Sequence, residues 1–203
     1  MYQPVAFQNN ALTDLHEVMR TYSFATVVTQ VNGHPFASHV PLLLEDGGEY
    51  GVLSGHLARA NPQWQSFADG QEVLVMFHGP HAYVSPRWYA SRQSVPTWNY
   101  IAIHAYGTAR LMSEEETRVL LGKMSAQYDQ NDPFDWSDLP EAMAMRMLQE
   151  IVGIRIHLSK IEGKFKLSQN RSETDRRNIM EKLASSTEMN ASQSVGHWMQ
   201  KQL

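Results

Sequence analysis

Asn32-Gly33 falls between two apolar, β-branched runs, FATVVTQV (Phe24–Val31) and FASHVPLLL (Phe36–Leu44). That dipeptide in that setting is the strongest short-range mark of a two-residue hairpin, because both of its residues tolerate the positive φ that the turn demands. EDGGE makes the next turn, and YGVLSG returns as a third strand. A meander of this kind commits the chain to antiparallel pairing. No βαβ alternation and no GxGxxG are present, so a doubly wound dinucleotide fold is a poor reading.

The rest of the chain repeats the theme with a few helices inserted. Leu15, Val18 and Met19 stand at helical spacing, which predicts a short helix over Asp14–Met19. Asn61 is a good N-cap and Pro62 suits a first helical position, so a short helix is expected from Pro62 to about Phe67. EVLVMFHG and HAYVS read as strands around a break at Gly79-Pro80. PRWYASRQSVPTWNY (Pro86–Tyr100) reads as a long loop, and such a loop is usually functional or packed over something. A long strand is expected from Tyr100 to about Leu111. Ser113 with Glu116 forms a capping box for a helix to about Tyr128, and Pro140 starts another to about Glu150. IVGIRIHLSKIEGKFK alternates as a closing strand, and Ser172 with Asp175 opens a helix through Leu183. The expected class is therefore mainly β with α (α+β), a closed or partly split antiparallel β-barrel. It comprises a domain over 1–183 with peripheral helices, and a polar tail over 184–203 that is mobile or helical.

Composition narrows the function classes. With 203 residues the chain can bury a sizeable core. No apolar run approaches the ~20 residues that cross a bilayer, so a membrane partner is not expected. The start MYQPVAFQNN lacks the basic and apolar regions of a secretion signal, and the expected compartment is the cytoplasm. Absence of cysteine excludes disulfides, thiolate metal sites and a cysteine nucleophile. A net charge of −4 argues against a surface built mainly for nucleic acid. The stretch 160–182 does carry seven cations against four carboxylates, a modest basic patch that keeps DNA open as a partner. The histidines show no HExxH-type spacing, and no GxSxG elbow is present. His104, among apolar neighbours, reads as a core or interface histidine.

Three constellations can carry chemistry. In LSGHLARANPQW, Ser54, His56 and Arg59 precede the Asn61-Pro62 helix start. Hydroxyl, cation and free N–H groups together suit an anion such as a cofactor phosphate. A strand end with a solvated arginine and an ordinary cap fits the spacing equally well. In KFKLSQNR, cations including Lys166 stand with Ser168, Gln169 and Asn170 at the end of a strand. Amides there suit a ring edge, and lysines suit a phosphate or a ring carbonyl that gains charge on reduction; a solvated basic turn is the ordinary alternative. VPTWNY and SPRWY offer indoles, a phenol and Arg87 for a flat ligand, or for core or subunit packing.

MYQP..F, ASHVPLLL, GHLARANPQW, GPHAYVSPRWY, VPTWNY and KFKLSQNR, in this order, resemble the PaiB-type FMN-binding family of negative transcriptional regulators. The resemblance runs over roughly Met1 to Leu183. It implies a six-stranded antiparallel split barrel similar to pyridoxamine-phosphate oxidase, a homodimer, and FMN in the groove between subunits. It further implies that Ser54, Arg59 and His56 hold the phosphate. By the same similarity Ser38 and His39 face the phosphate or ribityl chain, where the oxidases carry arginine and this chain has SHV. Trp98, Asn99, Lys166, Ser168 and Gln169 are expected near the flavin or the interface. A regulator that binds FMN is the function so implied; an FMN-dependent oxidoreductase and a haem-binding split barrel are the alternatives.

Overall fold

In the computed structural model, residues 1–67, 70–91, 94–185 and 189–201 are described. The strands are β1 (Gln8–Asn9), β2 (Phe24–Val31), β3 (His34–Pro41), β4 (Leu43–Glu45), β5 (Val52–Ala58), β6 (Glu72–Val84), β7 (Thr97–Leu111) and β8 (Ile151–Lys166). The helices are α1 (Leu12–Thr21), α2 (Gln63–Phe67), α3 (Glu114–Tyr128), α4 (Glu141–Gln149), α5 (Glu173–Ala184) and α6 (Met189–Lys201). The strands form one open sheet in the order β3-β2-β6-β7-β8-β5-β4, with β1 paired to β8. Its registered pairs are antiparallel. The class is thus mainly β with α, as expected.

The strand count is not six. Eight strands are present among the described residues, for two local reasons. FASHVPLLL is not one strand: the β2–β3 ladder holds as far as Pro41, then the Leu42 N–H donates to the Ser23 carbonyl at 2.9 Å. Leu43–Glu45 is left to pair with β5 instead. In addition, Gln8 and Asn9 bridge Lys164 and Gly163, a contact too short to leave a periodic pattern. Two other expectations change. β6 runs unbroken through Gly79-Pro80; the burial alternation slips by one residue there, as at a bulge. β7 begins at Thr97 rather than Tyr100, so Thr97, Trp98 and Asn99 are strand residues.

The hairpin formed as the dipeptide requires, with φ of 52° at Asn32 and 78° at Gly33, the signs of a type I′ turn. The capping box at α3 is complete: the Glu116 N–H donates to Ser113 Oγ, and the Ser113 N–H donates to the Glu116 carboxylate. Ser172 Oγ accepts from the Asp175 N–H at the start of α5.

The chain divides into two compact units. The first takes Met1–Val18, His78–His104 and Glu162–Leu203. Its core includes Leu15, Ile101, Ile103, Phe165, Ile179 and Trp198, with the Phe165 and Trp198 rings edge to face at 5.4 Å. The second takes Met19–Phe77 and Ala105–Ile161. Its buried side chains include Val27, Leu53, Phe67, Val75, Ile154 and Ile156. There α3 lays Leu120 and Met124 against Leu43.

Candidate functional site

The expected site residues fall into two groups, one in each unit. In the first unit, alternation along β7 turns Asn99 inward, wholly buried, and Trp98 outward, half exposed. The Trp98 indole lies beside the rings of His81 and Tyr83, with centroids 6.1 and 5.9 Å away. At the end of β8, Lys166 Nζ donates to Thr97 Oγ1 and to the Trp98 carbonyl, each at 2.5 Å. Ser168 takes a left-handed φ of 65° and closes a turn by accepting the Arg171 N–H at its carbonyl. Its hydroxyl donates to Asn99 Oδ1 at 2.9 Å, and Asn99 Nδ2 donates to Met199 Sδ at 3.4 Å. Gln169 braces the same turn, accepting from the Leu167 N–H and donating to the Phe165 carbonyl. Trp98, Asn99, Lys166, Ser168 and Gln169 therefore form one assembly.

Charge gives that assembly its character. Burial pushes the Lys166 ammonium below the ordinary lysine value, and the nearby Lys164 and Arg171 push it further. Lys164 donates to the Tyr2 carbonyl and sits over the Tyr2 and Tyr100 rings. Arg171 lies 4.7 Å from the centre of the Tyr89 ring. None of the three cations has an ion pair among the described residues. A void of about 50 Å³ opens between Phe7, Thr97, Lys166 and Arg171. Three crowded cations without a carboxylate are an unbalanced arrangement that an anion would relieve.

The second unit holds Ser38, His39, Ser54, His56 and Arg59. Ser38 is buried and accepts from Asn61 Nδ2 at 2.7 Å, while His39 is exposed opposite Thr26. Asn61 caps as expected, its Oδ1 accepting the Gln63 N–H. Ser54 is fully buried, and its hydroxyl donates to Glu45 Oε2 at 2.9 Å. Arg59 is exposed and grips backbone: Nε donates to the Gln149 carbonyl at 2.5 Å and Nη2 to the Ile151 carbonyl at 2.7 Å. Its Nη1 has no partner among the described residues. His56 Nδ1 is buried without a partner, and burial pushes the imidazole below its ordinary value, keeping it neutral near pH 7.

Residues that pattern reading missed explain why Ser54 is held. Glu45 also takes Lys123 Nζ at 2.5 Å, and Arg155 approaches both Ser54 and Glu45. Arg155 further meets Glu116, which Arg110 and the Ser113 N–H hold down to about 2. An arginine inside the apolar alternation of β8 was the available signal. Gln63, wholly buried, donates to the Val27 carbonyl and Thr29 Oγ1; a glutamine in a five-residue helix carries no such signal. His104 is half buried, and burial lowers its pKa. No cluster able to hold a metal ion exists among the described residues.

Comparison with known proteins bears on this arrangement. Residues 1–160 match the sequence model of the family described as "Putative FMN-binding domain". The chain belongs to this family. It is 40% identical over 195 residues to the protease synthase and sporulation protein PAI 2 of Bacillus subtilis, covering 95% of this chain and 94% of that one. Among solved structures, the fold is shared with the FAD and heme binding protein of Mycobacterium smegmatis: TM-score 0.62, 17% identity, 83% of this chain and 78% of that one. It is shared also with the flavocytochrome Anf3 of Azotobacter vinelandii: TM-score 0.61, 16% identity, 84% and 75% covered. The chain is thus an FMN-binding protein of the PaiB type with a flavin split-barrel fold. The first group of residues fits that cofactor: cations without carboxylates suit its phosphate and its ring oxygens, and a half-exposed indole suits its flat face.

Proposed function

We propose that this chain is a cytoplasmic, homodimeric regulator of transcription that carries FMN, with the cofactor held by the Lys166 assembly. The observation that carries the reading is the crowding of Lys164, Lys166 and Arg171 beside Trp98 with no described ion pair. Lys166 offers its remaining proton to an oxygen of the cofactor. Asn99 and Ser168 fix the position of the turn that carries it, and Trp98 covers a flat face. Bound FMN supplies a ring that accepts electrons and gains negative charge at its N1–C2=O edge. Cations crowded at that edge would favour a ring that carries negative charge. The 40% identity to PAI 2 supports a PaiB-like role.

Two experiments test the reading. Flavin absorption should appear in the protein as purified, and promoter DNA should shift in gels with an affinity that weakens as salt rises. Absence of DNA binding at every salt concentration, together with unchanged expression on deletion, would remove the regulator role. Bleaching by NAD(P)H with turnover on an acceptor would move the assignment to an FMN-dependent oxidoreductase, and a Soret band would move it to haem.

No helix of the described residues is long and apolar enough to cross a membrane. Dimer formation is checked by sedimentation.

A further inference from the structure

The first unit contains a second opening, lined by other residues than the void beside Lys166. It has a volume of about 650 Å³ and is lined by Pro86, Arg87, Tyr89, Ala90 and Ser94, a size typical of small-molecule pockets. Tyr89 is 5% exposed, and its hydroxyl has no hydrogen-bond partner among the described residues. A buried phenol left unpaired is costly, and native folds rarely keep one without a use.

The frame around Tyr89 is fixed. Ser85 Oγ accepts the Arg87 N–H at the start of the 3₁₀ turn Pro86–Trp88. On the other side, the Ala90 N–H donates to Asp175 Oδ1 at 2.7 Å, which ties the segment to the first turn of α5. Two cations also stand by the phenol: Arg87 lines the opening, and Arg171 stacks on the ring at 4.7 Å. Neither guanidinium has an ion pair among the described residues. A donor hydroxyl and two guanidiniums are the components that recognise a carboxylate or phosphate.

We propose that this opening binds a small oxyanion, a carboxylate or a phosphate, which accepts the Tyr89 hydroxyl hydrogen and is matched in charge by Arg87 and Arg171. Arg171 also lines the void beside Lys166. The inference therefore rests on the proposed function in one respect: an anion at Tyr89 withdraws positive charge from the cofactor assembly and so reports a metabolite to the flavin.

The test is calorimetric titration of the full-length protein, as purified with FMN, using inorganic phosphate and benzoate separately. Saturable heat with at least one of them, tighter than about 1 mM, is expected, and which one answers identifies the ligand class. Tyr89→Phe should weaken that binding about tenfold and Arg87→Gln at least as much, with FMN per chain unchanged in both. Without anion, Tyr89→Phe should melt no lower than the wild type, because it deletes an unpaired hydroxyl. No saturable heat with either anion, or equal affinity in Tyr89→Phe, overturns the site. A wild type without FMN would count against the flavin reading alone, since the heats still decide the anion site.

Discussion

Ser168 Oγ donates to Asn99 Oδ1 over 2.9 Å, and both residues are buried. One hydrogen bond thus ties the left-handed turn after β8 to the inward face of β7, and Asn99 extends the tie to Met199 of α6.

Asn99→Ala removes both links and strands a buried hydroxyl. The expected loss is about 2 kcal/mol, read from urea unfolding, accompanied by weaker FMN binding as the turn loosens. Unchanged stability would show that the turn is held by other means.

Arg59→Ala removes two charge-assisted bonds to carbonyls at the end of α4 and the start of β8. Arg59 is exposed, so the cost should be near the low end, about 1 kcal/mol. FMN retention should be nearly unaffected if the Lys166 assembly holds the cofactor. Loss of FMN with full stability would return the phosphate to Ser54, His56 and Arg59.

Acid should act in two stages. Burial holds His56 and His104 below 6.5, so the unfolded chain takes up protons that the folded one resists. Stability is therefore lost as pH falls below 6.5. The bond from Lys123 holds the Glu45 carboxyl below 4.5, and Arg110 holds Glu116 at about 2. Their contribution is present above 4.5 and disappears as pH drops from there toward about 2. Urea unfolding at stepped pH should show both declines, with the second reduced in Glu45→Gln. A single decline below 4.5 would remove the histidines from the account.

Gly107 allows β7 and β8 to approach: an added Cβ would lie 2.3 Å from the His157 carbonyl oxygen and 2.9 Å from its carbon. Backbone cannot yield as a side chain can. Gly107→Ala should cost roughly 3 kcal/mol by thermal or urea unfolding, and a neutral effect would mean that the strands separate freely there.

Local chemistry made much of the fold legible. The hairpin at Asn32-Gly33, the α3 capping box and the sixteen-residue β8 follow from turn geometry, cap pairs and alternation. What did not show was decided by neighbours. Leu42 ends one ladder because Ser23 offers a carbonyl, and Gly79-Pro80 continues a strand because a slip in register absorbs the missing N–H. The site divides in the same way. The TWN and KLSQ segments come together because two long strands run side by side. Ser54 and Arg59 looked equally suited to a phosphate, but sequence carries no sign that Glu45 and two backbone carbonyls already engage them. Tyr89 stood among the aromatics of SPRWY, and only its unpaired hydroxyl sets it apart from them.

The central claim is that Lys166 holds the cofactor, and the most direct measurement is the FMN dissociation constant of stripped wild type, Lys166→Gln and Lys166→Arg across pH. Lys166→Gln should bind at least about tenfold more weakly with a loss of stability no larger than about 1 kcal/mol, and Lys166→Arg should recover part of the lost affinity. Wild-type affinity should fall in alkali starting below the ordinary lysine value of 10.5, because burial, Lys164 and Arg171 ease the loss of the proton. Equal affinity in Lys166→Gln, or a wild-type affinity flat through that range, would contradict it.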